Sequence, residues 1–144
     1  ADEGDFAAAF ADLSGQAIAP SAARALILSV FEAPNAELWR LAADLRRSLI
    51  VGGFSDNPGF VRDVFPDGAS LDPMIFSGET GVMKPSDAAF AAAEARLELA
   101  GADVLLVDDG EANVRAARRR GWDAICFTSN DQLFAELRAR GIAP

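Results

Sequence analysis

Residues 105–127, LLVDDGEANVRAARRRGWDAICF, decide how this chain is read. A short apolar run ends on two adjacent carboxylates, Asp108 and Asp109. Gly110, a stretch with helical spacing, Gly121 and a second apolar run follow at once. Short apolar runs bounded by turn residues read as strands buried on both faces, and strand, helix, strand in this order implies a right-handed crossover between parallel strands. Asp108 and Asp109 then stand where a buried strand meets solvent. Like charges so close repel each other, and a bound cation is one arrangement that offsets the cost.

Outward from this unit the same grammar repeats. SLIVGGF (48–54), MIF (74–76), DVLLV (103–107) and AICF (124–127) read as strands, with helices starting near Pro58, Ser86, Gly110 and Asn130. Ser86 precedes DAAFAAAEARLEL (87–99) with Gly101 just past its end, Gly121 closes NVRAARRR (113–120), and Gly141 ends DQLFAELRAR (131–140). The expectation is an α/β fold, a Rossmann-like parallel sheet with flanking helices. The first part of the chain is different: DFAAAFADL (5–13), SAARALILSVFEA (21–33) and NAELWRLAADLRR (35–47) all have helical spacing, with Ser21 and Asn35 placed as N-caps. The chain therefore divides into a helical, cap-like segment over 1–47 and an α/β core over 48–144.

Composition narrows the function. A chain of 144 residues, 51% hydrophobic and 24% charged, suits one folded domain and lies outside the regime of disorder. With 22 acidic against 13 basic residues, its net charge of -9 argues against nucleic acid or an anionic membrane as a partner. Arg118, Arg119 and Arg120 read as the solvated face of a helix, with anion binding as the alternative. The chain has no histidine, which removes Ser-His-Asp and Cys-His chemistry and the usual zinc-ligand sets. Cys126 is its only cysteine and reads as a small buried hydrophobe, so nothing marks an oxidising compartment. No run reaches the roughly 18 apolar residues of a membrane span, and the acidic start lacks the basic and apolar regions of a signal peptide. A cytoplasmic location is expected. Ala1 stands where Met would begin a chain, which points to trimming, processing or excision from something longer.

In an open parallel sheet, ligands bind beyond the carboxyl ends of the strands. After the four apolar runs come Ser55, Asp56 and Asn57; then Ser77 and Gly78, with Lys84 a few residues on; then Asp108 and Asp109; then Thr128 and Ser129. Hydroxyls, an ammonium and paired carboxylates gathered on one rim suit a phosphate and a magnesium ion. The carboxylates offer a hard cation its oxygen ligands, while Ser55 and Lys84 offer a phosphoryl oxygen a hydrogen bond and an ion pair. The N–H groups of the helix starting near Pro58 would favour the same anion. Each residue alone also has a plain reading: Ser55 or Asn57 as a helix cap, Lys84 as a surface lysine, one of the two aspartates as the cap of the helix after Gly110.

Three blocks, FSDNPGFV (54–61), FSGETGVMKPSDAAF (76–90) and LLVDDGEANVRAARRRGWDAICF, resemble the second, third and fourth motifs of the haloacid dehalogenase-like hydrolases, in family order and within their sugar-phosphatase-like branch. The leading helices resemble the small helical cap of that branch. The resemblance implies a magnesium-dependent phosphatase of small phosphate esters such as sugar phosphates, working through an aspartyl-phosphate. Ser55 would hold the phosphoryl group, Lys84 would stabilise its charge and that of the nucleophile, and Asp109 would be the principal magnesium ligand with Asp108 as its acidic neighbour. Asn113 stands where some members carry a further acid. Asp56 stands where asparagine is usual, which requires its carboxylate to turn away from a phosphate or the phosphate site, Ser55, Asp56 and Lys84, to be altered.

The family's nucleophile belongs to a DxD motif at the end of a first, central strand. No two aspartates here are separated by a single residue, and no apolar strand precedes the helical segment. The first central strand is thus expected to be missing. Two apolar strands would then pair directly or accept a complementing segment or second subunit, because unpaired interior backbone groups cost roughly 1–3 kcal/mol each. Loss of an upstream segment is the simplest account of that absence. The alternative function is a catalytically inactive, phosphatase-like binding or interaction domain on the same rim. A receiver-type phosphoacceptor is disfavoured, because its acidic pair precedes its hydroxyl and lysine.

Overall fold

A chain that alternates apolar runs with helical stretches builds a layered structure only if the strands find each other, and here they do so in two pairs. The computed structural model describes residues 2–29, 35–65 and 71–142. The elements are α1 (Glu3–Ser14), α2 (Pro20–Ser29), α3 (Ala36–Leu45), β1 (Gly53–Ser55), a 3-10 helix (Gly59–Val64), β2 (Met74–Phe76), α4 (Ser77–Thr80), α5 (Asp87–Leu97), β3 (Leu105–Asp108), α6 (Glu111–Arg119), β4 (Asp123–Cys126) and α7 (Asn130–Ala139). β1 pairs in parallel with β2, placing Phe54 opposite Ile75. β3 pairs in parallel with β4, placing Val107 opposite Ile125. Among the described residues these are separate two-stranded sheets. This is the expected α/β architecture with its central strand missing.

Local chemistry sets the element ends. Asp2 and Asp5 form a reciprocal capping box on α1, whose first turn carries Glu3 and Asp5 where carboxylates favour the helix dipole. Asn35, Ser86 and Ser129 cap α3, α5 and α7 through side-chain oxygens. Ser21 is not a cap: α2 starts one residue earlier, at Pro20, whose fixed φ and missing N–H suit the first helical position. Residues 30–33 of the second expected helix lie outside the described residues. Gly121, at φ +91°, lets the chain turn from α6 into β4.

Three further expectations need correction. The run 48–54 is strand only from Gly53; the Leu49 N–H bonds back to the Leu45 carbonyl at the end of α3, and Leu49 and Ile50 are 46% and 61% exposed. The segment after Pro58 forms a 3-10 helix, not an α-helix. Two β-branched residues, Val61 and Val64, disfavour the α form, and Phe65 is extended ahead of Pro66. At the end of α5 it is Glu98, at φ 56°, that takes the left-handed position, while Gly101 opens a short 3-10 turn against Trp122.

The main core lies under one face of the strands. Ile75, Phe90, Ala93, Leu106, Val114 and Trp122 pack together, with Phe54, Phe90 and Trp122 meeting ring to ring. A second cluster covers the other face, where Leu41 of α3 meets Ile125, Leu133 and Leu137. α3 thus packs on β4 and α7, while α1 and α2 pack on each other and reach the 3-10 helix through Phe6 against Phe60 and through Arg24, which pairs with both Glu3 and Asp63. The arginine triplet is only partly a solvated face. Arg118 donates to the Ala124 carbonyl, and Arg120 clamps Glu94 and Asp87.

Candidate functional site

The carboxyl ends of β1 and β3 are brought together by one side chain. Lys84 Nζ donates to the Phe54 carbonyl at 2.7 Å and to Asp108 Oδ2 at 2.8 Å, and lies 4.8 Å from the centre of the Phe54 ring. Both side chains of the Lys84–Asp108 pair are 8% exposed. Lys84 is therefore not a loose surface lysine. An ion pair this buried loses much of its hydration, so its position needs the additional bonds that surround it.

Asp108 has those bonds. Its Oδ1 accepts from the Gly110 N–H at 2.8 Å and from Asn113 Nδ2 at 2.9 Å. Burial by itself raises the pKa of this carboxyl; the hydrogen bonds from Lys84, Asn113 and Gly110, with the charge of Lys84, outweigh it and leave the group below its ordinary value. It is held as a carboxylate. Asp109, one residue on, is exposed, and among the described residues its carboxylate has no hydrogen-bond or ion-pair partner. The two neighbouring acids thus differ: Asp108 is fully engaged by the protein, and Asp109 is free to meet something else.

At the end of β1, Ser55 Oγ accepts from Asn57 Nδ2 at 2.8 Å. Neither side chain caps the 3-10 helix, so the plain capping reading of both is removed. A hydroxyl that accepts from one neighbour still has its own O–H to donate. Asp56 turns aside: its Oδ1 accepts from the backbone N–H of Lys84 at 3.0 Å, which fixes the lysine loop against β1. The loop after β2 is pressed close as well. Gly78 donates its N–H to the Asn57 carbonyl, and a Cβ at Gly78 would stand 2.8 Å from the Pro58 Cα, so only glycine fits.

Contacts thus join Asp56, Lys84 and Asp108, while Ser55 ends β1 and Asp109 follows the end of β3 by their places in the chain. Thr128 and Ser129 contribute to the start of α7 instead: Ser129 caps it, and the Thr128 N–H donates to Gln132. Two contacts were not foreseen from the sequence. Asn113, noted only as standing in place of a further acid, donates from the first turn of α6 back to Asp108 at the end of β3. Phe54 acts through its backbone carbonyl and ring face, neither of which a strand-forming phenylalanine announces.

A magnesium ion is what the resemblance of the three sequence blocks implies. Among the described residues no three His, Cys, Asp or Glu side chains gather into a metal-binding group. Magnesium usually keeps several waters and takes one or two protein carboxylates together with substrate phosphate oxygens. Asp109, exposed, without a hydrogen-bond or ion-pair partner for its side chain among the described residues and next in the chain to Asp108, suits that mode.

No protein-family model and no curated protein matches the chain. Solved structures do. An uncharacterized protein from Corynebacterium glutamicum is 30% identical at a TM-score of 0.63, over 76% of this chain and 86% of that one. A predicted HAD-like family hydrolase from Porphyromonas gingivalis is 21% identical at a TM-score of 0.82, over 100% of this chain and 75% of that one. A HAD family enzyme from Bacteroides thetaiotaomicron, in complex with magnesium and inorganic phosphate, is 18% identical at a TM-score of 0.72, over 93% of this chain and 74% of that one.

Proposed function

Because this chain belongs to one family with the Corynebacterium glutamicum protein and shares its fold with HAD-like hydrolases, we propose that it is the larger part of a magnesium-dependent phosphatase of small phosphate esters such as sugar phosphates. The observation that carries this reading is Lys84. Its ammonium is held by a β1 carbonyl and a β3 carboxylate at the carboxyl ends of parallel strands, where α/β sheets bind ligands. An ammonium has three N–H donors, so one remains for a phosphoryl oxygen. Ser55 donates to the same group, and the turned-aside Asp56 leaves the phosphate unrepelled. Asp109 holds the magnesium ion, which supplies charge neutralisation of the phosphoryl oxygens when bound. Asp108 sets the position of Lys84.

The helical segment 1–47 is the cap of this enzyme and 48–144 its catalytic core. α1 and α2 rest on the 3-10 helix that follows β1, and in this reading they select the ester. The attacking carboxylate comes from outside this sequence, on a complementing segment or second subunit that completes the sheet. A lone cysteine and a phosphorylated metabolite as substrate suit the cytoplasm.

A second reading has its own support. A rim without the nucleophile, and without three gathered acids among the described residues, also suits an inactive phosphatase-like binding domain. Hydrolysis of a generic phosphate ester, assayed with magnesium and with a chelator on this chain together with the segment or subunit that supplies the attacking carboxylate, separates the two. Magnesium-dependent turnover lost in Lys84→Ala supports the enzyme. Phosphate binding without turnover supports the binding domain, and neither binding nor turnover removes both.

A further inference from the structure

Ser55, Asp56 and Asn57 follow one another at the end of β1, and their side chains take different courses. Ser55 Oγ accepts from Asn57 Nδ2 at 2.8 Å, and among the described residues its own O–H has no acceptor. Asp56, the nearest carboxylate in the chain, is directed instead to the backbone N–H of Lys84 at 3.0 Å. Asn57 is itself held from the β2 side. Its carbonyl accepts from the Gly78 N–H at 3.1 Å, and the two loops lie so close that a Cβ at Gly78 would stand 2.8 Å from the Pro58 Cα. Pro58 also disfavours the helical conformation at the residue before it. The Asn57 amide is thus a fixed donor that occupies a lone pair of the Ser55 oxygen in a part-buried position, where water competes less for the bond.

We infer that Asn57 is a positioning residue that makes Ser55 an outward hydrogen-bond donor to an anionic oxygen. A serine hydroxyl rotates, and can present either its proton or a lone pair to a ligand. With the Asn57 NH2 group on one lone pair, the O–H lies along another tetrahedral direction, away from the amide. With an amide oxygen in that place, the proton would be spent on Asn57 and only lone pairs would remain for a ligand. An anionic phosphoryl oxygen accepts hydrogen bonds, so the first arrangement attracts it and the second repels it. Phosphate as the ligand rests on the function proposed above; the direction of the Ser55 O–H does not. A purely structural role accounts for the Asn57 carbonyl, which ties the loops after β1 and β2, but not for its side chain, whose hydrogen bond among the described residues goes to Ser55.

The test is a double-mutant cycle on the intact chain, with inorganic phosphate titrated calorimetrically in the presence of magnesium into the parent, Asn57→Ala, Ser55→Ala and the double variant. Asn57→Ala keeps the backbone carbonyl that holds Gly78, so the loops stay in place. The expected result is phosphate bound roughly two- to tenfold more weakly in Asn57→Ala, about tenfold or more weakly in Ser55→Ala, and no more weakly in the double variant than in Ser55→Ala. Equal weakening by Asn57→Ala in both backgrounds is what a merely structural role produces, and overturns the inference. So does binding that is unchanged or tighter in Asn57→Ala, the mark of an amide oxygen facing Ser55. NMR of the ligand-free chain gives a second reading: one Asn57 side-chain amide proton is expected downfield in the parent and back at a solvated position in Ser55→Ala. An amide proton indifferent to Ser55 overturns the inference as well. If the parent binds no phosphate while that proton responds to Ser55, the donor geometry stands and the phosphatase reading alone fails.

Discussion

β3 has two sides that this chain treats in opposite ways. Towards β4 and α6 its backbone is paired and Leu106 is buried with Phe90, Val114 and Trp122. Towards β1 its backbone groups face a cleft and Val107 is 41% exposed. Both residues come from one apolar run whose composition is that of a strand buried on both faces. The difference teaches that burial is a property of the completed sheet: the sequence of β3 is built for two neighbours, and one of them is not among the described elements. The rim at the carboxyl end spans this divide, because Lys84 ties the β1 side to the β3 side.

The contrast can be broken by substitution. On the filled side, Phe90→Ala should cost about 3–5 kcal/mol in urea unfolding, since it removes a fully buried ring that contacts Phe54 and Trp122. A loss below about 1 kcal/mol would mean that this side is as loosely packed as the cleft. At the junction, Lys84→Met leaves Asp108 a buried carboxylate without its cation, and about 3 kcal/mol of stability should go with it. If unfolding is unchanged, the pair does not bridge the two sides in solution.

A smaller effect is expected in acid. The Glu94 carboxyl is held below its ordinary value of 4.5, first by the hydrogen bond from Arg120 and then by that from Trp122. A carboxyl with a depressed folded pKa adds stability above its unfolded value, and that share is lost as pH falls through the folded value. Melting temperatures followed from neutral pH to below 4.5 should therefore decline less steeply in Glu94→Gln than in the parent chain. Identical slopes would show that the Arg120 clamp is absent in solution. Smallest of all is Val107→Ala, expected within about 0.5–1 kcal/mol because its side chain borders open space. A cost comparable to Phe90→Ala would mean the cleft is already filled.

Where the chain itself sets the conformation, the sequence was a good guide. β2, β4 and the starts of α3 and α5 follow from local apolar runs and from Asn35 and Ser86, whereas Ser129, expected on the rim, caps α7 instead. Ser55 and Asp108 were likewise expected at strand ends, and they close β1 and β3. Features that depend on distant partners were hidden. β1 begins only at Gly53, near the end of the apolar run 48–54, because a strand extends only as far as its pairing with a neighbour. α3 has the same helical spacing as α1 and α2, but only the positions of Ile125 and Leu137 reveal that it packs on the core. The split between an engaged Asp108 and an Asp109 without a side-chain partner among the described residues required the position of Asn113, which reaches from the first turn of α6 back to the end of β3.

Phosphate binding by the intact chain, measured by isothermal titration in the presence and absence of magnesium and repeated with Asp109→Asn, tests the rim most directly. The account predicts phosphate binding that magnesium strengthens in the parent chain, and an Asp109→Asn variant that folds normally and loses the magnesium dependence. Phosphate binding indifferent to magnesium, or an unaltered response in Asp109→Asn, would contradict it.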